Sequence, residues 1–305
     1  MTEFRPLDRP VQLRHGTGVY TWGDLQSFVL FAGPDIIEDD GLVLETGLEI
    51  QRVTKALRIP WILKCSFDKA NRQSARSFRG PGMNAALKSL QNLKSKIGCA
   101  LLTDVHETIQ VPGVAEVADV IQIPAFLSRQ TDLLVEAART GKVLHIKKGQ
   151  FLAPWDMKAI AQKAVGAGNA DILLCERGTT FGYNRLINDM TGLVEMRKFG
   201  FPVIMDCTHS TQLPGATGES SGGRSEMVWP LARAALAVGV DGIFLEAHPQ
   251  PEKALCDGPT SLPLRQLEPM LKNLLSIWKT HSAADDPRGV CGGAGGTDLG
   301  KKAHA

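Results

Sequence analysis

The sequence lacks the features that mark membrane and nucleic-acid-binding proteins. No uninterrupted apolar run approaches the roughly 20 residues needed to span a bilayer. The formal net charge is only +2, and just two tyrosines are present. The chain therefore has neither a strong electrostatic field nor a basic stripe with interleaved aromatic residues. We expect neither a nucleic acid nor a membrane among its partners.

Motifs of several other classes are also missing. The first residues contain acids and prolines but no apolar segment of the secretory type, so we expect a cytoplasmic protein. No CxxC spacing occurs among the six cysteines, and several of them end apolar runs, where a reduced thiol acts as a small hydrophobe. No GxGxxG follows the first predicted strand, which disfavours a dinucleotide-binding domain. We expect no organic cofactor.

The sequence instead has a regular alternation of short apolar runs and longer amphipathic stretches. Short runs buried on both faces and separated by helices predict a parallel sheet. Eight such units over about 250 residues match an α/β fold of the (β/α)8 TIM-barrel type better than an open doubly wound sheet. The predicted strands are FVLFAG (28–33), WILKCS (61–66), ALLTD (100–104), DVIQI (119–123), KVLHIKK (142–148), DILLCE (171–176), PVIMD (202–206) and GIFLE (242–246).

The remaining elements complete a single domain over residues 1–280. A short hairpin is predicted near 11–21, with its turn at His15 and Gly16, and residues 281–305 are predicted to be a disordered tail because they lack periodic apolar positions. The third crossover, 107–117, is short and is interrupted by Pro112. The other predicted helices are 41–57, 82–97, 131–140, 155–166, 183–199, 225–238 and 263–278.

Charged residues stand at the ends of the predicted strands, where barrel enzymes carry their catalytic groups. Any one of them could be a turn or N-cap residue. Lysines, however, are rarely buried without a partner, and Lys64 and Lys147 are embedded in apolar strands. Converging cations fit a substrate with more than one phosphate or carboxylate. The cations of this group are Lys64, Lys69, Arg72, Arg129, Lys147 and Arg177.

A second group contains acids and imidazoles. Asp35 directly follows the break of the first strand at Gly33 and Pro34, and it is either a turn residue or a carboxylate presented to a site. Such a group can bind a divalent metal or act as acid and base. Its members are Asp35, His209, Glu246 and Asp257, with His248 nearby.

The glycine-rich segment GATGESSGGRSE (215–226) follows the seventh predicted strand and precedes a helix. It is long for a barrel connection. It is either a flexible link or a lid that closes on the substrate and excludes water, and we expect the lid.

Nine segments carry a resemblance to a known family, in order from about Phe28 to about Trp278. They are CSFDKANR (65–72), FRGPG (78–82), LTDVHE (102–107), IQIPAFLSRQTDLL (121–134), IKKGQF (146–151), CERGTTFGY (175–183), DCTHS (206–210), SSGGR (220–224) and FLEAHPQPEKALCDGPTSLPL (244–264). The chain resembles the 3-deoxy-D-manno-octulosonate 8-phosphate synthases. The resemblance implies a homotetrameric (β/α)8 barrel with an N-terminal hairpin. The implied reaction condenses phosphoenolpyruvate with D-arabinose 5-phosphate and water, releasing phosphate, in lipopolysaccharide biosynthesis.

The resemblance also implies six positions that bind phosphoenolpyruvate. Lys147 and Arg177 would hold its phosphate, with the backbone of Ala125 nearby. The other three positions would face its carboxylate: Lys64, Lys69 and Gln122.

Further positions would serve the sugar and the chemistry. Asn71 and Arg72 would bind the sugar phosphate together with Arg129 of a neighbouring subunit, and Asp104 would orient the sugar. The residues expected to handle protons or water are His209 and Glu246, with Lys69 as an acid at the aldehyde oxygen.

Three positions depart from the family pattern. Gln73 replaces the usual Ser or Thr after KANR, and Gly149 replaces the usual Pro of KKPQF. Asp35 stands where metal-dependent members carry Cys and metal-independent members carry Asn.

Asp35 beside Glu246 and Asp257 would put three carboxylates close together, which disfavours their joint ionisation. A divalent cation would relieve this, as would protonation of one acid or a lysine such as Lys64. We expect Asp35, His209, Glu246 and Asp257 to form an O₃N set that suits Mn²⁺, Fe²⁺, Mg²⁺ or Zn²⁺.

The sequence is also compatible with two other functions. A 3-deoxy-D-arabino-heptulosonate 7-phosphate synthase would perform the same chemistry on erythrose 4-phosphate, but it typically carries KPRTSP where this chain has KANRQS. A non-catalytic phosphosugar-binding barrel is the other alternative. Phosphate release from phosphoenolpyruvate with either sugar separates the three functions.

Overall fold

The computed structural model describes residues 10–16, 18–24, 27–71, 74, 76–215 and 222–280. Strands β1 (Val11–His15) and β2 (Gly18–Trp22) form the expected antiparallel hairpin. Trp22 stacks on Phe31 of the first barrel strand, with ring centroids 5.9 Å apart, and it joins the apolar cluster inside the barrel. The hairpin therefore closes the N-terminal end of the barrel.

The predicted (β/α)8 barrel is confirmed. Eight parallel strands pair in chain order, and the last pairs with the first, so the sheet has no free edge. The barrel strands are β3 (Val29–Gly33), β4 (Trp61–Lys64), β5 (Ala100–Asp104), β6 (Val120–Ile123), β7 (Val143–Lys147), β8 (Ile172–Glu176), β11 (Val203–Asp206) and β14 (Gly242–His248).

Helices cover the outside of the barrel. They are α1 (Asp40–Leu57), α2 (Met83–Ile97), α3 (Val111–Val117), α4 (Thr131–Arg139), α5 (Met157–Gly166), α6 (Met190–Arg197), α7 (Val228–Val238) and α8 (Leu267–Trp278). Shorter strands lie in the loops: β9 (Thr179–Gly182), β10 (Arg185–Ile187), β12 (Gln212–Leu213), β13 (Gly222–Gly223) and β15 (Leu262–Pro263).

The boundaries of the sixth helix differ from the sequence prediction. Residues 183–189 are not helical, because Tyr183 and Asn184 both have positive φ and form the turn of the β9–β10 hairpin. The helix begins only after Asp189, whose side chain accepts the Thr191 N–H at 2.9 Å and caps the helix. The fifth, seventh and eighth helices also begin a few residues later than predicted, each after a 3₁₀ turn.

The continuous apolar runs follow from burial on both strand faces. In β3, Val29 and Phe31 point into the barrel, whereas Leu30 and Ala32 pack beneath the helices. Alternating residues of one strand thus serve two apolar clusters. Most charged residues of the barrel strands stand at the strand ends, where the candidate site lies, whereas His145 is buried in the middle of β7 beside Phe31 and Phe244.

The end of β3 passes very close to the end of β4. A Cβ on Gly33 would overlap the Lys64 carbonyl oxygen, so only glycine fits there. Beyond Gly33 the chains stay paired, since Ser66 N–H donates to Asp35 O at 3.1 Å and Ile37 N–H donates to Ser66 O at 3.0 Å. This close approach brings Asp35 against Lys64.

Three sequence predictions fall wholly or largely outside the described residues. They are the core of the glycine-rich lid (216–221), the C-terminal tail (281–305), and the positions of Arg72 and Gln73. Among the residues that the structure describes, no helix is long and apolar enough to cross a membrane.

Candidate active site

A cavity of about 340 Å³ opens at the C-terminal end of the barrel. Residues from at least five strand ends line it, as expected for a barrel active site. It brings together most of the positions singled out in the sequence: Lys64, Lys69, Asn71, Asp104, Gln122, Ala125, Lys147, Arg177, His209 and Asp257.

Lys64 lies between two carboxylates. Its ammonium group is 3.0 Å from Asp35 Oδ1 and 2.5 Å from Glu246 Oε1, and it also donates to the Asp35 carbonyl oxygen at 2.7 Å. Lys69 pairs with the same Asp35 oxygen and donates to Ser66 Oγ at 3.0 Å. All four charged side chains are buried. The lysines therefore supply the positive charge that the acids need.

The two acids respond differently to this environment. Burial would raise the pKa of the Asp35 carboxyl, but the ammonium groups of Lys69 and Lys64 outweigh burial and hold that pKa well below its usual range. Burial, followed by the charge of Asp35, raises the pKa of Glu246. Asp35 is therefore the anion that the two lysines share.

Lys147, Asp206 and His209 form a second cluster. Asp206 Oδ2 lies 2.7 Å from Lys147 Nζ and 2.8 Å from His209 Nδ1, and Asp206 Oδ1 accepts the His209 backbone N–H at 2.9 Å. Lys147 Nζ also sits 3.9 Å above the Phe244 ring. Burial opposes ionisation of Asp206, but His209 and Lys147 hold its pKa well below the usual range. Asp206 thus orients both the Lys147 ammonium and the His209 imidazole.

Asp206 also sets the tautomer of His209. Two groups face His209 Nδ1: Asp206 Oδ2 at 2.8 Å, which can only accept, and Lys147 Nζ at 3.3 Å, which can only donate. The shorter contact, to the carboxylate, favours the imidazole proton on Nδ1. The Nε2 lone pair is then directed towards Glu246 Oε1 at 3.5 Å and Asp257 Oδ2 at 3.7 Å. This arrangement suits a base or a metal ligand.

The predicted ligand set is compact. One ligand atom from each of Asp35, His209, Glu246 and Asp257 lies within 4.8 Å of the others. In the described part of the chain, Asp35 Oδ2 and Glu246 Oε2 are buried and accept no hydrogen bond. Unpartnered buried carboxylate oxygens and an imidazole nitrogen fit a hard or borderline divalent cation.

Arg177 contributes a donor to the cavity. Its Nη2 donates to Gln212 Oε1 at 2.6 Å, and Gln212 Nε2 donates onward to Asp257 Oδ2 at 2.8 Å. Within the described residues its buried Nη1 has no partner. Burial lowers the pKa of Arg177, although the guanidinium stays charged. An anion in the cavity would satisfy Nη1.

Asp104 and Gln122 also present unused oxygens. Asp104 Oδ2 lies 3.0 Å from His106 Nε2, whereas Asp104 Oδ1 and Gln122 Oε1 are buried and unpartnered among the described residues. Burial opposes ionisation of Asp104, but His106 and the nearby lysines lower its pKa. These acceptors suit hydroxyl groups of a bound ligand. Arg129 is exposed and apart from the cavity lining of this chain.

Gly149, one of the three departures, lies beside an aromatic ring. A Cβ there would come 2.8 Å from the tip of the Phe151 side chain. The preceding residue, Lys148, is fully buried and donates to Thr179 Oγ1 at 2.9 Å, and its Nζ lies 3.3 Å from Glu176 Oε1. Lys148 ties the loops after β7 and β8 together.

Sequence reasoning assigned no role to three residues that shape the site. These residues are Asp206, which ends the seventh predicted strand, Gln212 and Phe244. Phe244 could have been found from the inward-facing positions of GIFLE. The contacts of Gln212 with Arg177 and Asp257 join three separate segments, and no local pattern reveals them.

Comparison with known proteins gives the class that this fold and site define. The DAHP synthetase I family matches residues 10–282, and the chain belongs to that family. Relatives named 2-dehydro-3-deoxyphosphooctonate aldolase are similar over most of the chain. The protein from Geobacter metallireducens is 53% identical over 255 residues, which cover 84% of this chain and 94% of the relative. The Fusobacterium nucleatum protein is 52% identical over 262 residues, covering 86% and 94%. That name denotes the same enzyme as the octulosonate 8-phosphate synthase, so the resemblance is confirmed.

Proposed function

We propose that this chain condenses phosphoenolpyruvate with D-arabinose 5-phosphate and water to give 3-deoxy-D-manno-octulosonate 8-phosphate and phosphate. The single structural observation behind this function is the convergence of Lys64, Lys69, Lys147 and Arg177 on one cavity. Two phosphates and a carboxylate must be bound together in this reaction, which suits several converging cations. The product belongs to lipopolysaccharide biosynthesis.

The proposed binding of phosphoenolpyruvate follows from the available donors. Lys147 and the unpartnered Nη1 of Arg177 bind its phosphate, with the backbone of Ala125 nearby. Its carboxylate meets Lys69 and Gln122, and Lys64 contributes its positive charge nearby while its N–H groups bond Asp35 and Glu246.

The sugar occupies the rest of the cavity. Asn71 and Arg72, with Arg129 of a neighbouring subunit, bind its phosphate, and Asp104 accepts from its hydroxyl groups. C3 of the enol attacks the aldehyde carbon while water adds at C2, and C–O cleavage then releases phosphate.

Fixed charges stabilise both the positive charge that develops at C2 of phosphoenolpyruvate and the alkoxide that forms at the aldehyde oxygen of the sugar. Lys69 donates a proton to the old aldehyde oxygen. His209 Nε2 and Glu246 handle the protons of the attacking water.

The proposal includes a divalent cation held by Asp35, His209, Glu246 and Asp257. When bound, it would supply electrostatic stabilisation close to the reacting oxygens. The support is the compact ligand set and its unpartnered carboxylate oxygens.

We also propose a cytoplasmic homotetramer. Five cysteines of the described residues are buried and form no disulfide, which suits a reducing compartment. Large aromatic side chains are exposed on the loops after β6, β7 and β8, and this surface suits a second copy of the chain. Light scattering tests the assembly, with four chain masses expected and one chain mass contrary to it. The exposed aromatics are Phe126, Phe151, Trp155, Phe181 and Tyr183.

The substrate prediction has a direct test. Phosphate release from phosphoenolpyruvate is expected with arabinose 5-phosphate, and much slower release with erythrose 4-phosphate, because the named relatives and the KANR motif both favour the longer sugar. Preference for erythrose 4-phosphate would indicate the heptulosonate synthase. No release with either sugar would indicate a non-catalytic barrel.

Metal removal tests the proposed cation. Exhaustive chelation is expected to lower the rate of phosphate release, and added Mn²⁺ is expected to restore it, because the acid cluster loses a bound charge. Full activity after chelation, with no metal found by elemental analysis, would rule the cation out. A chelator already saturated with Zn²⁺ is the control.

A further inference from the structure

Two ammonium groups already occupy the carboxylates of the candidate metal site. Lys64 Nζ bridges Asp35 Oδ1 and Glu246 Oε1, at 3.0 Å and 2.5 Å, and Lys69 pairs with the same Asp35 oxygen. Lys64 and Glu246 have no more than 1% of their surface exposed. This contact is therefore a buried ion-pair network, in which charges act strongly on each other.

The ammonium groups leave only part of the ligand set to a metal. Asp35 Oδ2 and Glu246 Oε2 remain without partners in the described part of the chain, and they face the same small cluster as His209. A divalent cation on these oxygens would lie one carboxylate away from the Lys64 ammonium. The two cations would repel each other with little solvent between them to screen the repulsion.

Asp35 is the residue that creates this conflict. Its carboxylate gives Lys64 a second anionic partner beside Glu246, and the backbone carbonyl of Asp35 gives a third acceptor at 2.7 Å. A neutral side chain at position 35 would leave Lys64 with one ion pair instead of two.

We infer that the Lys64 ammonium is a built-in cation of the Asp35–Glu246 pair and that it competes with a divalent metal for these carboxylates. When no metal is bound, the Lys64 ammonium balances the negative charge of Asp35 and Glu246. The affinity of the native chain for a divalent metal is then set by the charge of Lys64. This inference rests on the metal site of the proposed function and not on the identity of the sugar.

The experiment measures Mn²⁺ binding by titration calorimetry on the full chain without substrate. The native chain is compared with Lys64→Met, which removes the charge, and with Lys64→Arg, which keeps it. We expect Lys64→Met to bind Mn²⁺ at least about tenfold more tightly than the native chain, because an uncompensated acid pair attracts the metal and the repulsion is gone. Lys64→Arg should stay within about threefold of the native chain.

Thermal unfolding provides a second readout on the same proteins. Mn²⁺ should raise the Tm of Lys64→Met more than that of the native chain, since the metal binds the folded state more tightly in the variant. If Lys64→Met does not fold, Lys69→Met replaces it, because Lys69 contacts the same Asp35 oxygen.

Equal or weaker Mn²⁺ binding in the neutral variant would overturn the inference, as would the absence of binding in both proteins. Equally tight binding by Lys64→Met and Lys64→Arg would also overturn it, because charge would then not be the cause. Phosphate release from phosphoenolpyruvate is measured separately on the native chain, so failure of the proposed reaction is recognised independently.

Discussion

Replacing Lys147 by methionine is expected to lower kcat/KM for phosphoenolpyruvate by about 10²- to 10⁴-fold. The substitution removes a buried ammonium from the proposed phosphate site and leaves Asp206, 2.7 Å away, without that partner. Truncating one partner of a buried, hydrogen-bonded charge pair costs about 2–5 kcal/mol of binding free energy, and each 1.4 kcal/mol corresponds to a factor of about ten. Steady-state kinetics with each substrate varied in turn measures the effect.

The role of Lys147 predicts an asymmetry between the two substrates. KM for phosphoenolpyruvate should rise far more than KM for arabinose 5-phosphate, because Lys147 is assigned to only one of them. Lys88→Met is the matched control, since Lys88 is exposed on α2 and should leave both constants unchanged. Equal losses for both substrates would contradict the assignment of Lys147 to the phosphate of phosphoenolpyruvate.

Replacing Asp206 by asparagine is expected to lower kcat by about 10²- to 10⁴-fold, in line with the loss of tautomer control in other carboxylate–imidazole pairs. An asparagine amide can donate to His209 Nδ1, which would move the proton to Nε2 and remove the lone pair that faces Glu246. The control is Asp132→Asn at an exposed position of α4. A variant with native kcat would show that Asp206 has no role in orienting His209.

The same variant should change stability in a pH-dependent way. The folded-state pKa of Asp206 is lowered, so its stabilisation is complete above the unfolded pKa of about 3.9 and is lost as the pH falls through the folded value. Urea unfolding should show the native chain about 3 kcal/mol more stable than Asp206→Asn at pH 7. The difference should shrink only in strong acid, and a difference that disappears between pH 7 and 5 would contradict this origin.

Much of the barrel could be predicted because it depends on local periodicity. Each strand is a short apolar run that is buried on both faces, and all crossovers except the short third one have helical spacing, so the sequence alone predicts eight repeats. The segment 183–199 was the exception. Its apolar residues resemble a helix, but the positive φ of Tyr183 and Asn184 converts its start into a hairpin turn.

The candidate site was predictable in its residue types and less so in its pairings. Lysines within apolar strands must have buried partners, and this indicated an anion site at the strand ends. The partners themselves depend on distances between strands that are far apart in sequence. Lys64 and Glu246 meet only because β14 pairs with β3, which pairs with β4.

The sequence by itself determined the barrel, the face that carries its chemistry, the family and the unusual aspartate at position 35. Only the tertiary structure decided what that aspartate does. A metal ion, a proton or a lysine could relieve the repulsion between Asp35 and Glu246, and the fold supplies the lysine. Gly33 lets β3 approach β4, and this places Lys64 between the two carboxylates. Burial then makes the contact strong, since water cannot screen charges that the barrel holds this close.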